Sequence, residues 1–167
     1  MSEGSSATSP VRTERPNDPR PPLDAVDRRI LAELERDARI PNNALAERVG
    51  VAPSTCLTRV RSLRDRGVIR GFHADVDPAA TGRPLQAMVS IRLQALARRR
   101  MREFEDVVTR LPEVRDCFFL AGVDDYLLHV ATADSAALRD FVVALNSRDE
   151  VANTQTSLIF EQVRRRV

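Results

Sequence analysis

Residues 85–94, LQAMVSIRLQ, alternate strictly. Leu85, Ala87, Val89, Ile91 and Leu93 fall on one side, and Gln86, Met88, Ser90 and Arg92 on the other. A period of two over this length is that of a strand with one buried face. Met101, Phe104, Val108 and Leu111 then recur at helical spacing. VRDCFFLAG and DDYLLHVAT are β-rich segments on either side of a tight turn at Gly122. Asp134 is placed to cap a helix whose buried stripe is Leu138, Phe141, Val142 and Leu145, and VANTQTSLIFEQV reads as a closing strand. The order β-α-β-β-α-β predicts a ferredoxin-like domain over residues 85–167, with the last strand paired to the first.

The preceding segment has a different period. In LDAVDRRILAELERDAR the apolar residues Leu23, Val26, Ile30, Leu31, Leu34 and Ala38 recur at three and four. Asp24 is the expected N-cap, with Asp27 in the first turn, where negative charge suits the helix dipole. NNALAERVG reads as a second, short helix running from an Asn cap to Gly50, with Leu45 and Val49 buried. A third begins at Pro53, where the missing N–H costs nothing, and stops at Gly67. Its buried stripe is Cys56, Val60 and Leu63. Three short helices, the last two joined by a tight connection, predict a helix-turn-helix over residues 23–76. The extended period of Val68, Ile69, Phe72 and Val76 forms its small wing or tether. Residues 77–84, with Pro78, Gly82 and Pro84, read as a linker, and the Pro- and Ser-rich residues 1–22 as a disordered tail. The fold class is therefore α+β: a winged helix-turn-helix followed by a ferredoxin-like βαββαβ domain.

Charge separates these segments where composition does not. The 167-residue chain has a net charge of only +2. Residues 52–73, however, hold Arg59, Arg61, Arg64, Arg66 and Arg70 against the single acid Asp65, a local excess of +4. A basic patch on the third helix is the footprint of a phosphate-binding surface. In a helix-turn-helix that helix enters the major groove. Ser54 and Thr55 are short enough to let its N-terminal end approach the duplex. Thr58, Arg59, Arg61, Ser62 and Arg66 follow on the faces left outside the buried stripe, where arginine can fork onto guanine edges or phosphates. Double-stranded DNA is the partner these residues predict; a merely solvated helix face is the alternative.

Other classes find little support. No apolar run is long enough to cross a membrane, and no signal-peptide pattern opens the chain, so a cytoplasmic location without a membrane partner is expected. Cys56 and Cys117 are expected as free thiols. Two histidines, His73 and His129, cannot assemble a zinc-like spacing, so neither a metal nor a catalytic cofactor is predicted. Asp124 and Asp125 are adjacent on a strand, point to opposite faces, and have no nucleophile patterned near them, which argues against an enzyme. The closing Arg164–Arg166 run is expected to be a solubilising end.

The stretch LDAVDRRILAELERDARIPNNALAERVGVAPSTCLTRVRSLRDRGVIRG resembles the DNA-binding half of the Lrp/AsnC (feast/famine) transcriptional regulators. AGVDDYLL resembles the Gly-plus-acidic effector turn of their second domain, and the resemblance spans about residues 23–163. It departs at Ala52, where the family often has a capping Ser, and at Val123, where it commonly has Asp. The resemblance implies a sequence-specific regulator that dimerises through its C-terminal sheets and assembles further into tetramers or octamers. It also implies a small-molecule effector, an amino acid, bound between dimers. Asp124 and Asp125 would meet the ammonium of such a ligand. Backbone amides around Gly122 would meet its carboxylate, helped by Thr154, Thr156 and Ser157 reaching in from a neighbouring subunit, with Val123 and Tyr126 counted in the same effector turn. Two other readings stand beside this one: a ligand-independent architectural DNA-binding protein of the same fold, and a small-molecule-binding domain or enzyme whose N-terminal helices merely pack.

Overall fold

The structure, a computed structural model, describes residues 21–163. The expected tail thus lies outside the described residues except for its last two, and so do Arg164–Arg166. The chain divides between Ala74 and Asp75 into two compact units.

The first unit holds three helices, α1 (Ala25–Arg36), α2 (Asn42–Val49) and α3 (Pro53–Asp65). Ile30, Ile40, Leu45, Ala46, Val49, Cys56 and Leu63 form its core. Asp24 caps α1 as expected, its Oδ1 accepting from the Asp27 amide at 2.8 Å. The helix ends at Arg36, earlier than its apolar spacing suggested, because Asp37 turns its carboxylate onto the Arg39 amide at 2.8 Å. The expected Asn cap of α2 is displaced: Pro41 occupies the cap, and Asn42 instead donates its side-chain amide to the Pro53 carbonyl at 2.9 Å. That bond ties the start of α2 to the start of α3. Both helices stop at left-handed glycines, Gly50 (φ 70°) and Gly67 (φ 68°). At Gly67 the amides of Gly67 and Val68 return to the carbonyls of Arg64 and Leu63, a complete Schellman closure. Val68 and Ile69 then pack on the helical core, and residues 70–77 continue without a strand partner.

In the second unit the expected linker is itself folded. Asp77 accepts from the Ala79 amide at 2.9 Å at the start of a short 3₁₀ turn, Ala79–Thr81, which Gly82 closes at φ 75°. Four strands follow: β1 (Leu85–Leu93), β2 (Val114–Phe119), β3 (Tyr126–Thr132) and β4 (Val151–Leu158). They form one antiparallel sheet in the order β2-β3-β1-β4, so the last strand does pair with the first. Helices α4 (Met101–Val108) and α5 (Ser135–Asn146) join them in βαββαβ order. The alternating residues Ala87, Val89, Ile91 and Leu93 pack with Phe104 and Val108 of α4 and with Leu138, Phe141 and Leu145 of α5. Asp134 caps α5 by accepting from the Ala137 amide at 2.8 Å. The opposite face carries Gln86, Met88, Ser90 and Arg92, in register with Leu127 and His129 on β3 and with Gln155 and Ser157 on β4.

Candidate nucleic-acid interface and effector turn

Helix α3 buries Cys56 and Leu63 completely and half-buries Val60. At 100° per residue, this fixes what faces away from the core. Ser54, Thr58, Arg61, Ser62 and Asp65 occupy the outward arc and are exposed, as is Thr55 nearer its edge. Thr58 folds its hydroxyl back onto the Ser54 carbonyl at 3.0 Å, which leaves its methyl group and an oxygen lone pair facing out. Arg61 has no ion pair among the described residues, so its guanidinium is available to an incoming anion. The first turn of α3 has no side-chain cap, since Ala52 stands at that position and Pro53 brings no N–H. The Ser54 and Thr55 amides therefore remain at an exposed helix start, where the helix dipole favours a phosphate.

Two of the expected contact residues are placed differently. Arg59 does not project from the helix: its Nη1 donates to Asp24 Oδ2 at 2.6 Å and to Asp27 Oδ1 at 2.8 Å. The Asp27 amide first, and the Arg59 guanidinium second, hold the Asp24 carboxyl below the usual carboxylate range. Arg66 is likewise turned inward, with Nη2 on the Pro21 carbonyl at 2.5 Å and Nη1 at 3.8 Å from Asp27 Oδ2. Arg59 and Arg66 thus fasten α3 to the start of α1 and stand apart from the outward set. Sequence spacing placed them outside the apolar stripe, but a side chain at the stripe's border reaches whatever the neighbouring helix offers. Here that helix offers two carboxylates.

The β2–β3 turn, residues 120–125, also sorts its residues in a way adjacency conceals. Gly122 and Val123 are exposed and Asp124 is half-buried. Among the described residues no acceptor takes up the backbone amides of Gly122, Val123 and Asp124. Asp125 is the opposite case. It is buried, its amide donates to the Ile91 carbonyl, and its Oδ2 accepts from the Leu93 amide at 2.8 Å. Its carboxylate finishes the β1 ladder and is not held out to a ligand. Tyr126 is wholly buried, stacked beside Phe104 and Phe119 with ring centroids 5.3 and 5.5 Å away. Its hydroxyl donates to Glu105 Oε1 at 3.0 Å. Burial first, and the Glu105 carboxylate second, raise its pKa far above the usual phenol range, so it remains a neutral core residue.

The three β4 residues separate by face. Thr154 and Thr156 are in register with Ile91 and Val89, on the side covered by the helices, and Thr154 exchanges hydrogen bonds with Asn146 of α5 at 3.0 and 3.2 Å. Ser157 is in register with Met88, on the other side. With a period of two, the side chains of Thr156 and Ser157 leave opposite faces of the strand. Sequence reasoning also passed over a depression of about 550 Å³ lined by Gln94, Ala95, Leu96, Ala97, Asp149 and Glu150. It begins one residue beyond the Leu93–Asp125 bond, and the Gln94 amide donates to the Glu150 carbonyl at 2.9 Å. Its members come from two junctions more than fifty residues apart, and no local spacing signals them.

Cys56 and Cys117 are both free thiols. Burial pushes the Cys117 thiol up to about 11, with the Glu105 carboxylate adding to the effect. Neither thiol has the depressed pKa of a nucleophile. His129 is buried on the open face of the sheet, between Asp116 Oδ2 at 3.1 Å and Gln86 Oε1 at 3.0 Å. It is a satisfied packing residue.

Comparison with known proteins matches both units. Residues 23–70 fit the winged helix-turn-helix DNA-binding family, and residues 86–167 fit the Lrp/AsnC ligand binding domain. The HTH-type transcriptional regulator AldR of Mycolicibacterium smegmatis is 57% identical over 166 residues, covering 98% of this chain and 97% of that protein. The crystal structure of MtbAldR superposes with a TM-score of 0.75 at 53% identity, over 86% of this chain and 97% of that one. A transcriptional regulator from Neisseria meningitidis, solved in complex with L-Met, gives a TM-score of 0.77 at 34% identity, over 86% of this chain and 94% of that one. The order of periodicities, the outward polar arc of α3 and these likenesses agree: the chain is a DNA-binding transcriptional regulator, not an enzyme, and belongs to the Lrp/AsnC family.

Proposed function

We propose that this regulator reads a specific operator with Ser54, Thr55, Thr58, Arg61 and Ser62, and that its DNA binding responds to a free amino acid held at the Gly122–Asp124 turn. The observation that carries the second part is the turn itself. Three consecutive amides without a protein acceptor lie next to a half-buried carboxylate, Asp124. An α-amino acid presents a carboxylate for the first and an ammonium for the second, so one turn offers both halves of the complement. The L-Met complex of the Neisseria meningitidis regulator supports this ligand class. In this reading the regulator acts in the cytoplasm, as a dimer that assembles further.

The test is calorimetric titration of the full chain with each of the twenty amino acids, paired with DNA-binding measurements in their presence. At least one should bind at or below millimolar concentration and change DNA affinity, and Asp124→Ala should abolish both effects while leaving ligand-free DNA binding intact. Absence of binding by all twenty would overturn the effector assignment. It would leave a ligand-independent architectural protein of the same fold.

A further inference from the structure

The charge of α3 is not all available to DNA. Of the five arginines in 52–73, Arg59 donates to two carboxylates at the start of α1, and Arg66 approaches one of the same carboxylates. The Asp27 side chain is 9% exposed and the Arg59 side chain 32%. Asp24 is used twice, once by the Asp27 amide as the cap of α1 and once by Arg59. A carboxylate fixed as a helix cap cannot follow a guanidinium outward. For Arg59 to reach a phosphate it must leave two acceptors that stay behind.

We propose that Asp24 and Asp27 form a charge clamp that withdraws Arg59 from DNA, so that α1 sets how many cations the helix-turn-helix presents to the phosphate backbone. The two carboxylates set two negative charges directly against the arginines that give residues 52–73 their excess of +4. The clamp makes the outward contact set short and largely uncharged, with Arg61 as its main cation. A helix with fewer backbone-pairing charges gains less on arbitrary sequence, and its discrimination rests on the residues that face base edges. Asp24 and Asp27 are therefore positioning residues that act on specificity through Arg59. The proposal rests on the reading that α3 is the element that meets DNA.

The salt dependence of DNA binding tests it, because each cation paired with a phosphate contributes about 0.9 to the slope of log affinity against log salt. The full chain and its variants are titrated onto a labelled mixed-sequence duplex of about 30 base pairs, between about 50 and 200 mM salt. D24N/D27N should steepen the slope by about 0.9 for each arginine released, which is roughly a threefold larger loss of affinity per arginine over that range. D24N/D27N/R59Q should return most of the way to the wild-type slope. R59Q alone should leave the wild-type slope unchanged, and this arm decides the matter by itself if circular dichroism shows that the Asp variants do not fold. A slope flattened by about 0.9 in R59Q overturns the proposal, since Arg59 would already be on a phosphate. An unchanged slope in a folded D24N/D27N overturns it too. R61Q separates the underlying reading: if it leaves the slope unchanged, α3 is not the helix that meets DNA.

Discussion

Neighbouring residues of the same type do unlike work in this chain, and Asp124 and Asp125 show it most directly. The buried carboxylate of Asp125 satisfies the Leu93 amide, whereas Asp124 stands at the open turn. Asp125→Ala should therefore destabilise the second unit by about 1–3 kcal/mol, the usual consequence of stranding a buried donor. Asp124→Ala should stay within about 0.5 kcal/mol of wild type. Denaturant midpoints at constant slope check both, and equal losses would show that the two acids are not differently employed. Asp24 adds a pH dependence of known sign. Its folded pKa is lowered, so its contribution is present above the unfolded value of about 3.9 and is lost as pH falls through the lower folded value. The first unit should consequently show no loss from this group between about pH 5 and 8. The sequence made the acids and arginines visible but not their partners. Arg59 and Asp24 are thirty-five residues apart, and no local pattern pairs them.

The elements themselves were largely written in the periodicity. Helix α3 begins at Pro53 and closes at Gly67 because those two residues can do little else there. Both the alternation of β1 and the stripe of α5 reappear as buried faces. What the periodicity did not carry were features that depend on a neighbouring element: the end of α1, the cap of α2 and the bond from Thr154 to Asn146 of α5. A further expectation belongs at this scale. Ala52 holds extended cap geometry, φ −64° and ψ 146°, without a side chain able to bond the first turn. Ala52→Ser should supply that bond and stabilise the first unit by about 0.5–2 kcal/mol, measured by thermal or denaturant unfolding. No stabilisation would mean that the open amides of α3 are already well served by water.

At the scale of the assembled molecule, the helices of the second unit pack on one face of its sheet. On the other, Phe118 is 48% exposed and in register with Leu127, and Met88 lies half-buried near them. Apolar side chains of this size on an otherwise polar sheet face suit a second copy of the same surface. Light scattering of the wild-type chain should give at least a dimer at micromolar concentration, and Phe118→Asp should shift it toward monomer. A wild-type monomer would overturn the reading of this face as a dimer surface. The effector turn has its own relation to this sheet. Arg92 Nε donates to the Val123 carbonyl at 3.1 Å, and Leu93 donates to Asp125 at 2.8 Å, so the loop is stitched to β1 at its tip and again at its return. In the language of structures under load, it is a cantilever with a clamped root. A ligand that displaces Gly122–Asp124 should therefore pull on β1, and through the β1–β4 ladder on the edge strand β4.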